Sequence, residues 1–241
     1  MPQRVWLKPT PANCVDLTAP GIQIVGGDTS LRITEIFHSL QGETSLVGLP
    51  TVFIRLTGCP LRCQYCDTTY SFHGGERFSL EDIEQTSKVF GTRHVCVTGG
   101  EPLAQPGVHR LVTNLCDSGY VVSLETSGAL DVSSVDPRVK KILDFKTPGS
   151  GEVHRNMWSN VAALTPHDEI KFVLCDRADY DWAVFKLDEH SLVERVGQVL
   201  FSPSYSQLPA QDLAQWILDD RLQVRMQMQM HKMIWGNEPG R

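Results

Sequence analysis

Thr51-Val-Phe-Ile-Arg55-Leu-Thr-Gly58-Cys59-Pro-Leu-Arg-Cys63-Gln-Tyr65-Cys66-Asp67-Thr68 runs from an apolar, β-branched stretch into three cysteines spaced C-x3-C-x2-C. Thr51 to Leu56 reads as a buried strand and the remainder as the loop that follows it. Three thiolates do not close a tetrahedral zinc site, and His73 is the nearby side chain that would complete one. Three do hold a 4Fe-4S cubane. Such a cluster ordinarily takes four cysteines, so three leave one iron open to a substrate or cofactor. A structural zinc module completed by His73 stands as the non-catalytic alternative.

Outward from this loop, short apolar runs alternate with helical patterns. Further strands are expected over His94 to Thr98, Tyr120 to Glu125, Lys141 to Phe145, Glu169 to Leu174, Gln198 to Ser202 and Gln223 to Gln229. Ser79 reads as an N-cap followed by acidic residues in the first turn, and Pro209 opens an amphipathic helix reaching Asp220. Repeated βα units make either a doubly wound sheet or a barrel. Arg55, Thr98, Ser123, Glu125, Asp144, Lys146, Lys171, Arg225, Gln227, Gln229 and His231 fall on one period-2 face of these strands. Burying so many polar groups is costly unless that face lines a ligand cavity, which favours a barrel lumen. Met226, Met228 and Met230 take the other face of the last strand, where packing against helices is expected. From Met1 to about Ser30 prolines and a glycine pair interrupt any period, so residues 1–30 read as an irregular extension and residues 31–237 as the core domain.

Composition narrows the function. With 41% hydrophobic and 21% charged residues the chain can build an ordinary globular core, and 22 basic against 28 acidic side chains make a poor phosphate-backbone binder. Direct nucleic-acid binding is not expected. No run reaches the roughly 20 apolar residues of a membrane span, and no secretory leader is visible, so a cytoplasmic protein is expected. Cys14, Cys96, Cys116 and Cys175 show no ligand spacing and read as small apolar residues.

The cysteine spacing, with an aromatic residue before the last cysteine, resembles the radical S-adenosylmethionine (SAM) superfamily. Thr98-Gly-Gly-Glu-Pro102 looks like that superfamily's GGE motif. Leu40-Gln-Gly-Glu43, Arg55-Leu-Thr-Gly-Cys59, Cys66-Asp-Thr68, Glu125-Thr-Ser-Gly128 and Gln229-Met-His-Lys232 narrow the likeness to the 7-carboxy-7-deazaguanine synthases of queuosine and 7-deazapurine biosynthesis. Thr44 departs from that family's pattern, which usually has Gly after Gln-Gly-Glu. The resemblance implies a partial, open βα barrel. It also implies conversion of 6-carboxy-5,6,7,8-tetrahydropterin to 7-carboxy-7-deazaguanine with loss of ammonia, a carbon–nitrogen lyase reaction in a tRNA-modification pathway. A radical derived from SAM would abstract a hydrogen atom from the pterin and later return it. A reducing partner such as flavodoxin or ferredoxin and a homodimer are further implications. A glycyl-radical-activating enzyme acting on a protein shares the cysteine spacing and is the competing reading.

By that resemblance Cys59, Cys63 and Cys66 hold the cluster and Thr68 is a Mg²⁺ ligand. Tyr65, Cys66, Asp67, Gly100, Asp144, Phe145 and Lys146 meet SAM. Leu40, Gln41, Gly42, Glu43, Arg55 and Thr98 meet the pterin, with Glu125 at the reacting centre. On chemistry, the Arg55 fork suits the substrate carboxylate, or else an internal ion pair with Glu125 or Asp144. Asp144 and Lys146 share a strand face and so also fit an internal salt bridge. His231 and Lys232 are candidates to close the substrate end.

Overall fold

The computed structural model describes residues 29–238 and 240. The irregular extension expected over residues 1–30, with Cys14, lies outside the described residues except for Thr29 and Ser30. Ser30 already opens the first strand.

Nine strands form one open, mixed sheet in the order β3-β1-β2-β4-β5-β6-β7-β8-β9. They are β1 (Ser30–Leu40), β2 (Pro50–Leu56), β3 (Glu76–Ser79), β4 (His94–Gly99), β5 (Val121–Thr126), β6 (Lys140–Phe145), β7 (Glu169–Leu174), β8 (Gln198–Pro203) and β9 (Arg225–Met226). From β2 to β9 neighbours are parallel, while β1 runs antiparallel to β2 and β3. The helices are α1 (Leu80–Val89), α2 (Val108–Asp117), α3 (Arg177–Glu189), α4 (Leu192–Arg195), α5 (Ala210–Asp219) and α6 (Met230–Trp235). Ser79 caps α1 through its hydroxyl, as its position predicts. The sheet does not close, so the architecture is the expected open partial barrel. Among the described residues no helix is long and apolar enough to cross a membrane.

Strict alternation explains why the sheet has two unlike faces. Val52, Ile54 and Leu56 of β2, Val95 and Val97 of β4, Val122 and Leu124 of β5, and Ile170, Phe172 and Leu174 of β7 all enter the main core beneath the helices. Each such burial contributes about 1.5–3 kcal/mol. The intervening residues Arg55, Thr98, Glu125 and Lys171 face the lumen and line its cavity.

Two strands escaped the sequence. β1 carries a bulge between Ile33 and Glu35, so Ile33 and Ile36, three apart, both reach the main core and the period of two is lost. β3 is a four-residue edge strand. The last strand is a correction in the opposite sense: of Gln223 to Gln229, Arg225 and Met226 alone pair with β8. Met226 does pack against the core, but Met228 is exposed and Met230 begins α6.

Candidate active site

A cavity of about 670 Å³ opens at the C-terminal ends of the parallel strands. Its wall brings together Leu40, Gln41, Gly42, Glu43, Arg55, Cys59, Cys63, Tyr65, Cys66, Asp67, Thr68, Thr98, Gly100, Glu125, Asp144 and Lys146. Every sequence-predicted site residue except Phe145 therefore lines one cavity. The Phe145 side chain is fully buried on the opposite face, stacked on Trp158 at 4.5 Å, so only its backbone remains for a ligand.

The cysteine loop is held by its own backbone. Gly58 N–H donates to Ser71 at 2.8 Å, Gln64 N–H to Ser150 at 3.0 Å, and the Gly58 carbonyl accepts from Glu101 N–H at 2.8 Å. Gly100 lies so close beneath that a Cβ there would stand 2.2 Å from the Gly58 oxygen. All three thiols are free, and burial pushes Cys59 up and Cys63 to about 11. Bound iron would deprotonate them. Among the described residues no three His, Cys, Asp or Glu side chains converge on a single-ion site. Three thiols spread along one wall fit a cluster that offers each sulfur its own iron. His73 is exposed and does not line the cavity, so the zinc alternative lacks its fourth ligand. For SAM, the Tyr65 hydroxyl is buried without a partner among the described residues, a polar atom left for a ligand beside Asp144 and Lys146.

The Glu101 carboxylate of the GGE motif is fully buried. It accepts from Thr126 Oγ1 at 2.8 Å, Ser127 N–H at 2.7 Å and Leu103 N–H at 3.0 Å, which ties the β4 turn to the loop after β5. Its work is structural.

The far wall is a charge network. Lys171 Nζ bonds Glu43 and lies 3.4 Å from Asp144, which pairs in turn with Lys146 at 3.0 Å. Gln227 and Gln229 donate to the Glu43 carboxylate at 3.1 and 2.9 Å. Burial alone would raise the pKa of Glu43, but the Lys171 charge and these donors hold it well below the usual carboxylate range. Glu125 is pushed the other way, by burial first and by the Glu43 charge second, while Gln41 and Thr98 donate to it at 3.2 and 3.4 Å. Arg55 pairs with neither Glu125 nor Asp144; its partner is Glu35, at 2.6 Å. Thr44 takes the left-handed conformation at φ 68, so the turn keeps a shape that suits glycine despite its side chain. His231 sits where a Cβ on Gly42 would meet its ring at 2.2 Å, and Lys232 pairs with Asp67 at 2.6 Å, so α6 covers this end of the cavity.

Sequence reasoning missed Glu35 and Tyr70, and placed Lys171 on the lumen face without giving it a role. Lys171 was visible as a charge alternating with apolar residues, whereas Glu35 was hidden by the β1 bulge.

Residues 53–151 match the model of the Radical SAM superfamily. A 7-carboxy-7-deazaguanine synthase from Koribacter versatilis is 44% identical over 226 residues, covering 86% of this chain and 98% of that protein. The synthase from Chlorobaculum tepidum is 44% identical over 212 residues, covering 87% and 96%. Among solved structures, QueE from Escherichia coli shares the fold at a TM-score of 0.68 and 24% identity, over 84% of this chain and 95% of its own. Relatives this similar along nearly their whole length, matched to a three-thiol loop above a polar lumen, place the chain in the 7-carboxy-7-deazaguanine synthase family of the radical SAM superfamily.

Proposed function

We propose that the protein converts 6-carboxy-5,6,7,8-tetrahydropterin to 7-carboxy-7-deazaguanine and ammonia in the cavity between the cysteine loop and α6. As a radical SAM enzyme it uses a 4Fe-4S cluster and SAM. The observation that carries the substrate reading is Glu43: a buried carboxylate held ionised on the Leu40–Glu43 turn, lining the same cavity as Glu125. Such a group suits the amino and amide edge of a pterin.

The bound cluster and SAM supply the one-electron chemistry that removes, and later returns, a hydrogen atom on the pterin. The remaining roles belong to the chain. Cys59, Cys63 and Cys66 hold the cluster; Tyr65, Asp67, Gly100, the Phe145 backbone, Asp144 and Lys146 orient SAM. Leu40, Gln41, Gly42, Glu43 and Thr98 orient the pterin ring, and Arg55 takes its carboxylate. Glu125, whose pKa burial raises, is placed to exchange a proton as ammonia leaves. Thr68 Oγ1 lies 3.8 Å from Cys66 Sγ and offers one neutral oxygen, which suits Mg²⁺ when substrate and water complete an octahedron. An external one-electron reductant such as a flavodoxin or ferredoxin, a homodimer, a cytoplasmic setting and a single core domain over residues 31–237 complete the reading.

The test is anaerobic turnover with dithionite, measuring deazaguanine and ammonia together. Glu43→Ala should keep the cluster and SAM binding yet lose about 10- to 100-fold in turnover, the scale of a lost charge-assisted bond. Thr68→Val should blunt the response to Mg²⁺ and spare SAM binding. Wild-type protein that cleaves SAM, makes no deazaguanine from this pterin and instead leaves a radical on a co-purifying protein is a protein activator, and the synthase reading fails.

A further inference from the structure

Arg55 is not free to point where it likes. Its Nε donates to Glu35 Oε1 at 2.6 Å, and Tyr70 Oη donates to the same oxygen at 2.8 Å. Among the described residues that Nε–H is the one hydrogen bond of the fork, and its carbon stands 5.8 Å over the Phe37 ring, which stacks on Phe53. One end of the guanidinium is thus pinned in plane, and both terminal nitrogens are left for a ligand in the cavity. The β1 bulge creates this arrangement: it lies between Ile33 and Glu35 and brings Glu35 opposite Arg55 on the lumen face. Bulges re-aim side chains beside active sites in this way. Tyr70 arrives from a third direction, two residues after Thr68 on the cysteine loop.

We propose that Glu35 and Tyr70 are positioning residues that aim the Arg55 fork at the carboxylate of the substrate; the proposal rests on the reading of Arg55 given above. Glu35 and Arg55 together are close to neutral, so a ligand carboxylate gains little from net charge. It gains from a planar fork already set to donate two parallel hydrogen bonds. Freeing Arg55 from Glu35 would raise its net attraction for an anion while scattering its geometry. The two effects have opposite signs, which makes the proposal testable.

The experiment measures dissociation constants calorimetrically on the anaerobic enzyme loaded with cluster and SAM. Two ligands are compared, the 6-carboxy pterin and its 6-carboxamide analogue, which keeps the ring and loses the charge. Glu35→Ala should weaken the carboxylate ligand about tenfold, or ~1.4 kcal/mol, and leave the carboxamide within about twofold. Glu35→Gln keeps an acceptor for Nε–H and should restore most of the loss. Tyr70→Phe removes one hydroxyl from a side chain that is 43% exposed, so folding is safe, and should weaken the carboxylate selectively about threefold. Unchanged or tighter carboxylate binding in Glu35→Ala and Tyr70→Phe overturns the proposal, as does equal weakening of both ligands. Arg55→Ala separates the two readings. If it abolishes the preference for the carboxylate while Glu35→Ala and Tyr70→Phe keep it, Arg55 is read correctly and the positioning role is wrong. If Arg55→Ala itself keeps the preference, the reading of Arg55 fails and the proposal falls with it.

Discussion

Lys171 is the side chain on which the lumen depends most, because it neutralises Glu43 and Asp144 at once. In the unfolded chain Glu43 titrates near 4.5, whereas in the folded protein its pKa is lowered to about 2 against the effect of burial. Between those values the native state binds fewer protons than the unfolded state. The pair's stabilisation is therefore complete above about pH 4.5 and is lost as the pH falls toward 2. Lys171→Met leaves Glu43 buried without its cation, while Asp144 keeps Lys146, a loss on the order of 3–5 kcal/mol at pH 7. The deficit should shrink as the pH falls to about 4, where the unpaired Glu43 takes up a proton. Urea midpoints of wild type and variant at several pH values read this directly. A deficit that does not vary with pH means that Lys171 acts by packing rather than as a counter-ion.

At the scale of elements, the active site is a set of loop ends held in register by close backbone contacts. The turn after β4 and the cysteine loop touch where Gly100 has no side chain; a methyl group there would stand 2.2 Å from the Gly58 oxygen and 2.8 Å from Cys59 Cβ. Gly100→Ala must push the two apart, at a cost of about 1–3 kcal/mol. The strain falls on the loop that carries Cys59, so the variant should reconstitute with far less iron and sulfide than wild type while its circular dichroism is unchanged. Full iron loading would show that the loop tolerates displacement. The C-terminal end follows the same logic. Gln227 and Gln229 alternate with methionines as a strand would, but Glu43, 184 and 186 positions earlier, recruits both amides and draws the chain off the sheet. Met230 N–H then bonds the Gly42 carbonyl at 2.9 Å and α6 begins. A long-range carboxylate outweighs local β-propensity.

For the whole molecule, the division of the sheet into an apolar face and a polar face separates stability from chemistry. The main core lies beneath the helices and the cluster loop keeps its own hydrogen bonds, so the fold is expected to stand without iron. Anaerobic chelation should abolish turnover yet leave a cooperative thermal transition, with Tm lower by about 2–10 °C as bound cofactor is lost. Loss of cooperativity on chelation would make the cluster part of the core. The parallel strands, the cysteine loop, the helix caps and the lumen face were legible in the sequence because each is a local pattern, of period two, of spacing or of capping chemistry. The family likeness was legible for the same reason, since its motifs are short runs of residues. Local pattern could not give the strand disguised by its bulge, the choice of Glu35 as the partner of Arg55, or the turn of the chain off the sheet after Met226. These depend on groups distant in sequence meeting in a buried, weakly screened space, where an unpaired charge is so costly that the partner within reach decides the structure.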